Sequence, residues 1–165
     1  MGAGKTTVGK ALAKRLGWNF RDLDELIEAR EHKTVAAIFA SEGEEGFRGI
    51  ESAVLLELLA GSSGDCVVAL GGGSYVDPRN RIALQQAGAF TVWLDAPLDE
   101  LKRRCKADGI KRPLAWDEAK LDQLFDARRE AYSLARFREV TTGKTVEEIA
   151  KQISNLVHAF EPEVK

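Results

Sequence analysis

The chain opens on a glycine-rich string, Met-Gly-Ala-Gly-Lys-Thr-Thr, that constrains its fold more than any other feature. The string matches the second half of the pattern G-x-x-x-x-G-K-[ST], whose backbone N–H groups surround the phosphates of a nucleotide. Gly4, Lys5 and Thr6 match the end of this pattern, where the lysine reaches the terminal phosphates and the hydroxyl binds Mg²⁺. Such a loop follows a strand and opens a helix, and its first glycine would lie upstream of Met1.

The residues after this loop have the spacing of an amphipathic helix. Apolar residues recur at helical intervals with basic residues between them, at Val8, Ala11, Leu12 and Leu16. Gly17 then supplies the residue type that commonly ends a helix in the left-handed conformation. This context favours nucleotide-phosphate binding over a glycine-lysine string that arose by chance in a flexible turn.

Length and charge predict one domain, residues 1–165, whose partner is a small molecule. The 24 basic and 26 acidic residues leave a net charge of −2, which gives no electrostatic footprint for nucleic acid or an anionic membrane. Cys66 and Cys105 are too few and too poorly spaced for a disulfide framework or a zinc site. With no apolar run of membrane-spanning length and no room for a signal peptide, we expect a cytoplasmic protein. A monomer is also expected.

Apolar runs alternate with helical patterns along the chain. Strands are predicted at Phe20–Leu23, Cys66–Leu70, Phe90–Leu94 and, as a weaker run, near Glu139–Thr142. Helices are predicted at Thr34–Ala40, Phe47–Leu58, Arg79–Gln86, Leu98–Ala107, Trp116–Ala135 and Val146–Phe160. Thr145 and Glu148 have the spacing of a capping box at the start of the last helix. The alternation predicts an α/β fold with a parallel sheet, whose ligands lie beyond the carboxyl ends of the strands.

Two carboxylates stand at the end of the first predicted strand. Asp22 and Asp24 are two residues apart, so a strand would point both side chains the same way. The alternative is a strand-to-helix junction in which Asp24 caps a helix that begins at Glu25. Combined with Lys5 and Thr6, a carboxylate that holds Mg²⁺ through water is the favoured interpretation, because magnesium takes few protein ligands.

Two further patterns follow in the middle of the chain. Gly71-Gly72-Gly73 directly follows a buried run, where glycines let a ligand approach the backbone closely, although a loose turn has the same pattern. Arg48 and Glu51 have the i, i+3 spacing of a helical ion pair. The pattern leaves open whether that pair is functional or an ordinary solvated pair.

The polar segment from Lys106 to about Trp116 lies between two helices and contains Gly109 and Pro113. It is either an ordinary connection or a mobile lid whose Arg112 closes on a transferring phosphate. On the next helix, Arg128 and Arg129 are alternatives for clamping a substrate carboxylate, because arginine suits planar, bidentate recognition.

Taken together, these segments resemble shikimate kinase over nearly the whole chain. The matching segments are Gly2–Thr7, Asp22–Asp24, Glu42–Glu44 with Phe47, Arg48 and Glu51, Leu70–Gly73, and Arg112–Leu114. The loop alone specifies a nucleotide-binding superfamily, whereas the later segments in this order are more specific. The resemblance implies ATP-dependent phosphorylation of the 3-hydroxyl of shikimate, in aromatic amino-acid biosynthesis. It also implies a three-layer fold with a parallel sheet of order 2-3-1-4-5.

The resemblance assigns roles residue by residue. It implies that ATP is bound by Gly2, Ala3, Gly4, Lys5, Thr6, Thr7, Arg104 and Arg112, and that Thr6 and Asp22 hold Mg²⁺. It implies that shikimate is bound by Asp24, Arg48, Gly71, Gly72, Gly73 and Arg128, with Glu51 orienting Arg48. The residues implied for catalysis are Lys5, Asp24 and Arg112. Arg128 is preferred to Arg129 by its distance from Tyr132.

Two alternatives stand beside this interpretation: a related kinase acting on a sugar acid such as gluconate, and an inactive or binding-only truncated homologue. The second rests on the strand that precedes the loop in this family, which is central in the sheet and is not in the chain from Met1 onward. Its burial would contribute on the order of 10 kcal/mol, comparable to net stability. We therefore expect the chain as numbered to be marginally stable or unfolded in isolation, unless the neighbouring strands close the gap.

Overall fold

The computed structural model describes residues 2–61, 65–107 and 118–160. Contacts divide the chain into two compact units. The first unit is Gly9–Ala89, and the second unit is Met1–Val8 together with Phe90–Lys165.

Helices and strands alternate as predicted, and the α/β prediction is confirmed. The helices are α1 Lys5–Leu16, α2 Leu23–Glu31, α3 Val35–Gly61, α4 Pro78–Gln86, α5 Leu98–Ala107, α6 Glu118–Tyr132 and α7 Val146–Phe160. The strands are β1 Asn19–Asp22, β2 Cys66–Ala69, β3 Val92–Asp95 and β4 Phe137–Val140, and a 3₁₀ turn covers Ser74–Val76. The predicted strand bounds were shifted by up to two residues, most for β4. None of the helices in the described ranges is both long and apolar enough to cross a membrane.

Within the described ranges, each unit contains one pair of parallel strands. In the first unit β1 pairs with β2, from Asn19 opposite Cys66 to Asp22 opposite Ala69. In the second unit β3 pairs with β4, from Val92 opposite Phe137 to Asp95 opposite Val140. The family numbering counts one strand before the loop, so β1 to β4 correspond to the second to fifth strands of that order. Both pairings then agree with the implied order 2-3-1-4-5, in which the second strand neighbours the third and the fourth neighbours the fifth.

The first unit has an apolar core between α2 and α3. Leu23 and Ile27 of α2 are fully buried with Ile38, Phe47 and Leu55 of α3. Burial of each of these large side chains contributes roughly 1.5–3 kcal/mol. The core therefore fixes α2 and α3 to one another, and it positions the polar residues that both helices carry.

Glycines end or break two helices of the first unit. Gly17 has φ +73° after α1, and the N–H of Trp18 donates back to the carbonyl of Ala13 over 2.9 Å, so the predicted helix end is confirmed. Within α3, Gly43 has φ +70° and ψ −174°, which breaks the helix there. Only glycine adopts this conformation without strain. The break explains why the sequence predicted two separate helices across this region.

The second unit buries one face of α7. Ile149, Ile153 and Val157 recur at helical spacing and are buried. The helix begins with the predicted capping box: the N–H of Glu148 donates to the Thr145 hydroxyl over 3.2 Å, and the N–H of Thr145 donates to the Glu148 carboxylate over 2.7 Å.

Candidate functional site

The glycine-rich loop of the second unit opens α1 as the phosphate-binding pattern requires. Gly2 and Gly4 have φ +67° and +79°, a region that favours glycine, and α1 begins at Lys5. The first turn of α1 contains no acidic residue. Its backbone N–H groups and the positive end of the helix dipole therefore suit an anion such as a phosphate.

Asp22 caps α2, which corrects two predictions about this segment. The Asp22 side chain accepts a hydrogen bond from the Asp24 N–H over 3.1 Å, and the helix begins at Leu23. The prediction that Asp22 and Asp24 share one side of a strand was wrong, because β1 ends at Asp22 and Asp24 lies in the first turn of α2. The alternative of a strand-to-helix junction was confirmed, but the capping residue is Asp22 and not Asp24, and the helix begins at Leu23 and not at Glu25.

Arg48 and Glu51 form a close ion pair with a buried carboxylate. The Arg48 Nη1 donates to Glu51 Oε2 over 2.7 Å, and Glu51 is 1% exposed. The second carboxylate oxygen, Oε1, accepts a 2.5 Å hydrogen bond from the Ser74 hydroxyl. The alternative of an ordinary solvated pair was therefore wrong. The Arg48 guanidinium also lies 5.2 Å from the ring of Phe47 and 6.0 Å from that of Phe39.

The glycine string provides room for these polar side chains. A Cβ atom at Gly71 would lie 2.6 Å from Glu51 Oε1, 3.0 Å from Ser74 Oγ and 3.2 Å from Asp24 Oδ1. A Cβ atom at Gly73 would overlap the Arg48 guanidinium. The first unit thus brings five predicted positions together: Asp24, Arg48, Glu51, Gly71 and Gly73.

Three residues of this cluster were missed by sequence reasoning: Ser74, Phe39 and Phe47 as an aromatic neighbour of Arg48. Ser74 follows the glycine string directly, and this position was the available signal. Phe39 stacks on Phe47 with ring centroids 4.3 Å apart. The sequence had marked Phe47 as a helix position and as a match to the family, and it had not marked Phe39.

Predicted residues in the second unit have separate environments. Arg104 pairs with Glu100 over 2.5 Å and contacts the Thr141 hydroxyl at 3.4 Å. A hydrogen bond from the Thr142 hydroxyl, together with Arg104, lowers the pKa of Glu100. Arg112 lies outside the described residues.

The two arginines of α6 differ in exposure and contacts. Arg128 is half-buried, whereas Arg129 is exposed and its guanidinium lies 5.5 Å from the Trp93 ring and 5.7 Å from the Phe125 ring. The aromatic contacts of Arg129 are compatible with the preference for Arg128 as the residue that meets substrate, which stays a prediction.

The structure is that of an α/β protein that binds nucleotide phosphates. Its strands and helices alternate, a Gly-Lys-Thr loop opens α1, and an arginine-carboxylate cluster lies beside the glycine string that follows β2. Comparisons with known proteins narrow this class. The family model for shikimate kinase matches residues 1–158. Shikimate kinase of Synechococcus elongatus is 40% identical, with 100% of this chain and 90% of the relative covered. That of Geobacter sulfurreducens is 43% identical, with 95% and 86% covered.

Solved structures give the same result. Shikimate kinase from Acinetobacter baumannii in complex with shikimate has a TM-score of 0.87 and 36% identity, covering 100% of this chain and 91% of that one. Shikimate kinase from Aquifex aeolicus has a TM-score of 0.83 and 32% identity, covering 98% and 95%. The chain belongs to the shikimate kinase family, and it is a kinase.

Proposed function

We propose that this protein transfers the γ-phosphoryl group of ATP to the 3-hydroxyl of shikimate, giving ADP and shikimate 3-phosphate. The observation that carries the proposal is the cluster of the first unit, in which Arg48 is held by buried Glu51 beside Asp24 and the glycine string. A fixed guanidinium and a nearby carboxylate match an anionic substrate that also carries reacting hydroxyls. Family membership supplies the reaction class.

Arg48 would bind the shikimate carboxylate. A guanidinium presents five N–H donors in a planar fork, and the bond to Glu51 uses one edge of it. Because Glu51 and the two phenylalanine rings restrict the fork, less side-chain entropy is lost when a carboxylate binds. Arg128 would supply the second cation to the same carboxylate.

Asp24 would accept a hydrogen bond from the reacting hydroxyl, and the backbone of Gly72 and Gly73 would contact the ring hydroxyls. A carboxylate is a far weaker base than an alkoxide, so it is a poor ground-state base for an alcohol. In a loose transition state the hydroxyl needs orientation first and loses its proton late. Asp24 would therefore act mainly by holding the attacking oxygen in line with the phosphorus atom.

The loop of the second unit would hold the ATP phosphates. Gly2, Ala3, Gly4 and Thr7 would contribute mainly backbone N–H groups, and Lys5 would stabilise charge on the transferring phosphoryl group. Arg104 would stack on adenine, and Arg112 would reach the phosphate when a lid at about 106–116 closes. Excluding water there strengthens every electrostatic interaction with the phosphoryl group.

Thr6 and Asp22 would hold Mg²⁺. The Thr6 hydroxyl and the Asp22 carboxylate are hard oxygen donors, the type that this ion prefers, so the chemistry of the two side chains fits it. One hydroxyl and one water-mediated carboxylate suffice, because magnesium keeps several waters. When bound, Mg²⁺ neutralises negative charge on the phosphate oxygens.

The test is ATP consumption measured with shikimate and, separately, with gluconate. We expect turnover with shikimate only. Turnover with gluconate and not with shikimate would contradict the proposed substrate and support the sugar-acid kinase alternative. Arg48→Ala is expected to raise the KM for shikimate by about a hundredfold while leaving the KM for ATP within about twofold. Arg30→Ala is the matched control, since Arg30 is an ion-paired arginine of α2 in the same unit.

Equal losses for shikimate and ATP in Arg48→Ala would show misfolding or a wrong role for Arg48. Tight shikimate binding with no ATP consumption would support the binding-only alternative. The cytoplasmic location and the monomeric state stay predictions, and gel filtration of the purified chain tests the second.

A further inference from the structure

The polar network of the first unit continues beyond the Arg48–Glu51 pair. Three of its residues, Glu51, Ser74 and Asn80, are each at most 1% exposed. Hydrogen bonds link Asn80 to Ser74 and Ser74 to Glu51. The Ser74 hydroxyl donates to Glu51 Oε1 over 2.5 Å, and Asn80 Nδ2 donates to the Ser74 carbonyl over 3.0 Å. Buried polar groups of this kind are costly unless they are satisfied, so each fixes its neighbour's position.

The two oxygens of Glu51 have separate donors. Oε1 receives the Ser74 hydroxyl and Oε2 receives Arg48 Nη1. This division fixes the plane of the carboxylate, because rotation about its last torsion would break both bonds at once. The orientation of the Arg48 guanidinium is therefore set by Glu51, and the orientation of Glu51 by Ser74.

Arg48 has a competing partner. Glu44, one turn earlier on α3, lies 3.6 Å from Arg48 Nη2 and is 75% exposed. An exposed pair of this kind contributes little and holds its geometry weakly. If Glu51 loses its fixed orientation, the Arg48 guanidinium can turn toward Glu44. It would then leave its position beside Gly73.

We infer that Ser74 is a positioning residue for shikimate binding: its hydroxyl fixes Glu51, which in turn holds Arg48 in the geometry that receives the substrate carboxylate. The inference rests on the proposed function in one respect, the assignment of Arg48 to that carboxylate. Ser74 itself contacts neither ATP nor the reacting atoms in this scheme. Its effect is carried entirely through Glu51.

The test is steady-state kinetics of Ser74→Ala with shikimate and ATP varied separately. A hydrogen bond to a charged group stabilises its partner enough for about a tenfold rise in the shikimate KM. We expect kcat and the ATP KM to stay within about twofold, since the bond does not involve the phosphoryl group. Ser52→Ala is the matched control: Ser52 is next to Glu51, and its buried hydroxyl has no hydrogen-bond partner among the residues described.

A double-mutant cycle separates positioning from a general structural role. In a Glu51→Met background the acceptor of the Ser74 hydroxyl is gone, so adding Ser74→Ala is expected to leave the shikimate KM unchanged. A tenfold rise in that background would overturn the inference, because the effect would not pass through Glu51. A shikimate KM equal to that of Ser52→Ala would also overturn it, as would parallel losses for shikimate and ATP.

The control for the underlying assignment is Arg48→Ala. If that change leaves the shikimate KM unaltered while shikimate is still phosphorylated, the proposed role of Arg48 fails, whatever Ser74 does. If Arg48→Ala raises the KM and Ser74→Ala does not, only the positioning role fails. Thermal melts of all variants identify those in which loss of fold, and not loss of orientation, changes the kinetics.

Discussion

The two compact units use a buried carboxylate and an arginine in different ways. In the first unit, Glu51 is buried, and its partner Arg48 is mostly covered, with 24% of its side chain exposed. In the second unit, Asp95 is buried, but its partner Arg138 is 53% exposed and donates to Asp95 from both Nε and Nη2. Asp95 lies on β3 and Arg138 lies on β4, opposite Trp93. The ion pair therefore links two neighbouring strands.

A second hydrogen-bond donor to the carboxylate distinguishes an ion pair that orients its arginine from one that only neutralises a buried anion. Glu51 also accepts a hydrogen bond from buried Ser74, so the anion is fixed and the arginine is oriented by it. At Asp95 it is the backbone carbonyl that accepts the Thr141 N–H and hydroxyl, over 2.9 and 3.2 Å. There the arginine neutralises the anion. We therefore expect changes in the first pair to alter substrate kinetics and changes in the second to alter stability.

The largest expected effect is that of Asp24→Asn in the first unit. The substitution keeps the size of the side chain and removes the negative charge that would accept the reacting hydroxyl. We expect kcat with shikimate to fall by about a hundredfold or more, the effect of losing alignment of the attacking group. ATP affinity, measured by titration calorimetry, is expected to stay within about twofold.

Asp65→Asn is the control for that change, since Asp65 is an exposed carboxylate of the same unit. A large loss of ATP affinity in Asp24→Asn would contradict the role given to Asp24. It would also remove the functional side of the contrast between the units.

Gly73→Ala is expected to have the next largest effect. Its Cβ would overlap the Arg48 guanidinium, which is the far end of a flexible side chain and can move. The φ of Gly73 is −97°, so alanine causes no backbone strain. We expect a folded protein in which Arg48 is displaced from Glu51, with a shikimate KM raised by roughly tenfold to a hundredfold.

Gly49→Ala is the matched control, because a Cβ there meets nothing within 4 Å. In a helix this change is expected to stabilise the protein by about 0.5–1 kcal/mol and to leave the shikimate KM alone. If Gly73→Ala and Gly49→Ala have the same shikimate KM, Arg48 does not bind substrate in the orientation seen over Gly73.

In the second unit, Arg138→Ala is expected to change stability and not substrate affinity. It leaves the buried Asp95 carboxylate without its cation, at a cost of about 2 kcal/mol, reduced from that of a fully buried pair because Arg138 is half-exposed. Urea denaturation measures this loss against Arg103→Ala, an exposed arginine of α5. A rise in the shikimate KM without a loss of stability would reverse the contrast drawn between the two pairs.

The order of elements was predictable from the sequence, because it depends on local periodicity and punctuation. The capping box at Thr145 and the helix end at Gly17 are set within four residues, and both predictions were confirmed. The junction at Asp22 was not predictable to the residue. An aspartate can cap a helix or continue a strand, and the choice depends on the side-chain bond to the Asp24 N–H.

The environment of the Arg48–Glu51 pair was beyond local reasoning. Its i, i+3 spacing is the same whether the pair is solvated or buried. What decides the case is Ser74, which lies 23 residues after Glu51 and contacts it only once β2 and the glycine string have folded back against α3. The spacing gave Glu51 its partner, and the resemblance gave it an orienting role. The burial of its carboxylate oxygens beside Gly71 follows from tertiary packing alone.

The smallest expected effect is that of Glu148→Gln at the start of α7. Hydrogen bonds from the Thr145 backbone and hydroxyl lower the pKa of Glu148 below its usual value of 4.5. A carboxylate whose pKa is lower in the folded protein contributes stability above its unfolded pKa, and that contribution is lost as the pH falls through the folded value. The variant is expected to have a slightly lower urea midpoint at pH 7, and the difference from the parent protein is expected to vanish below the folded pKa.

Glu147→Gln, in the same turn, controls for loss of charge near the helix dipole. A difference that does not diminish as the pH falls would show that the capping bonds and not the ionised carboxylate carry the effect, and a shift in the shikimate KM would contradict the assignment of this capping box to stability.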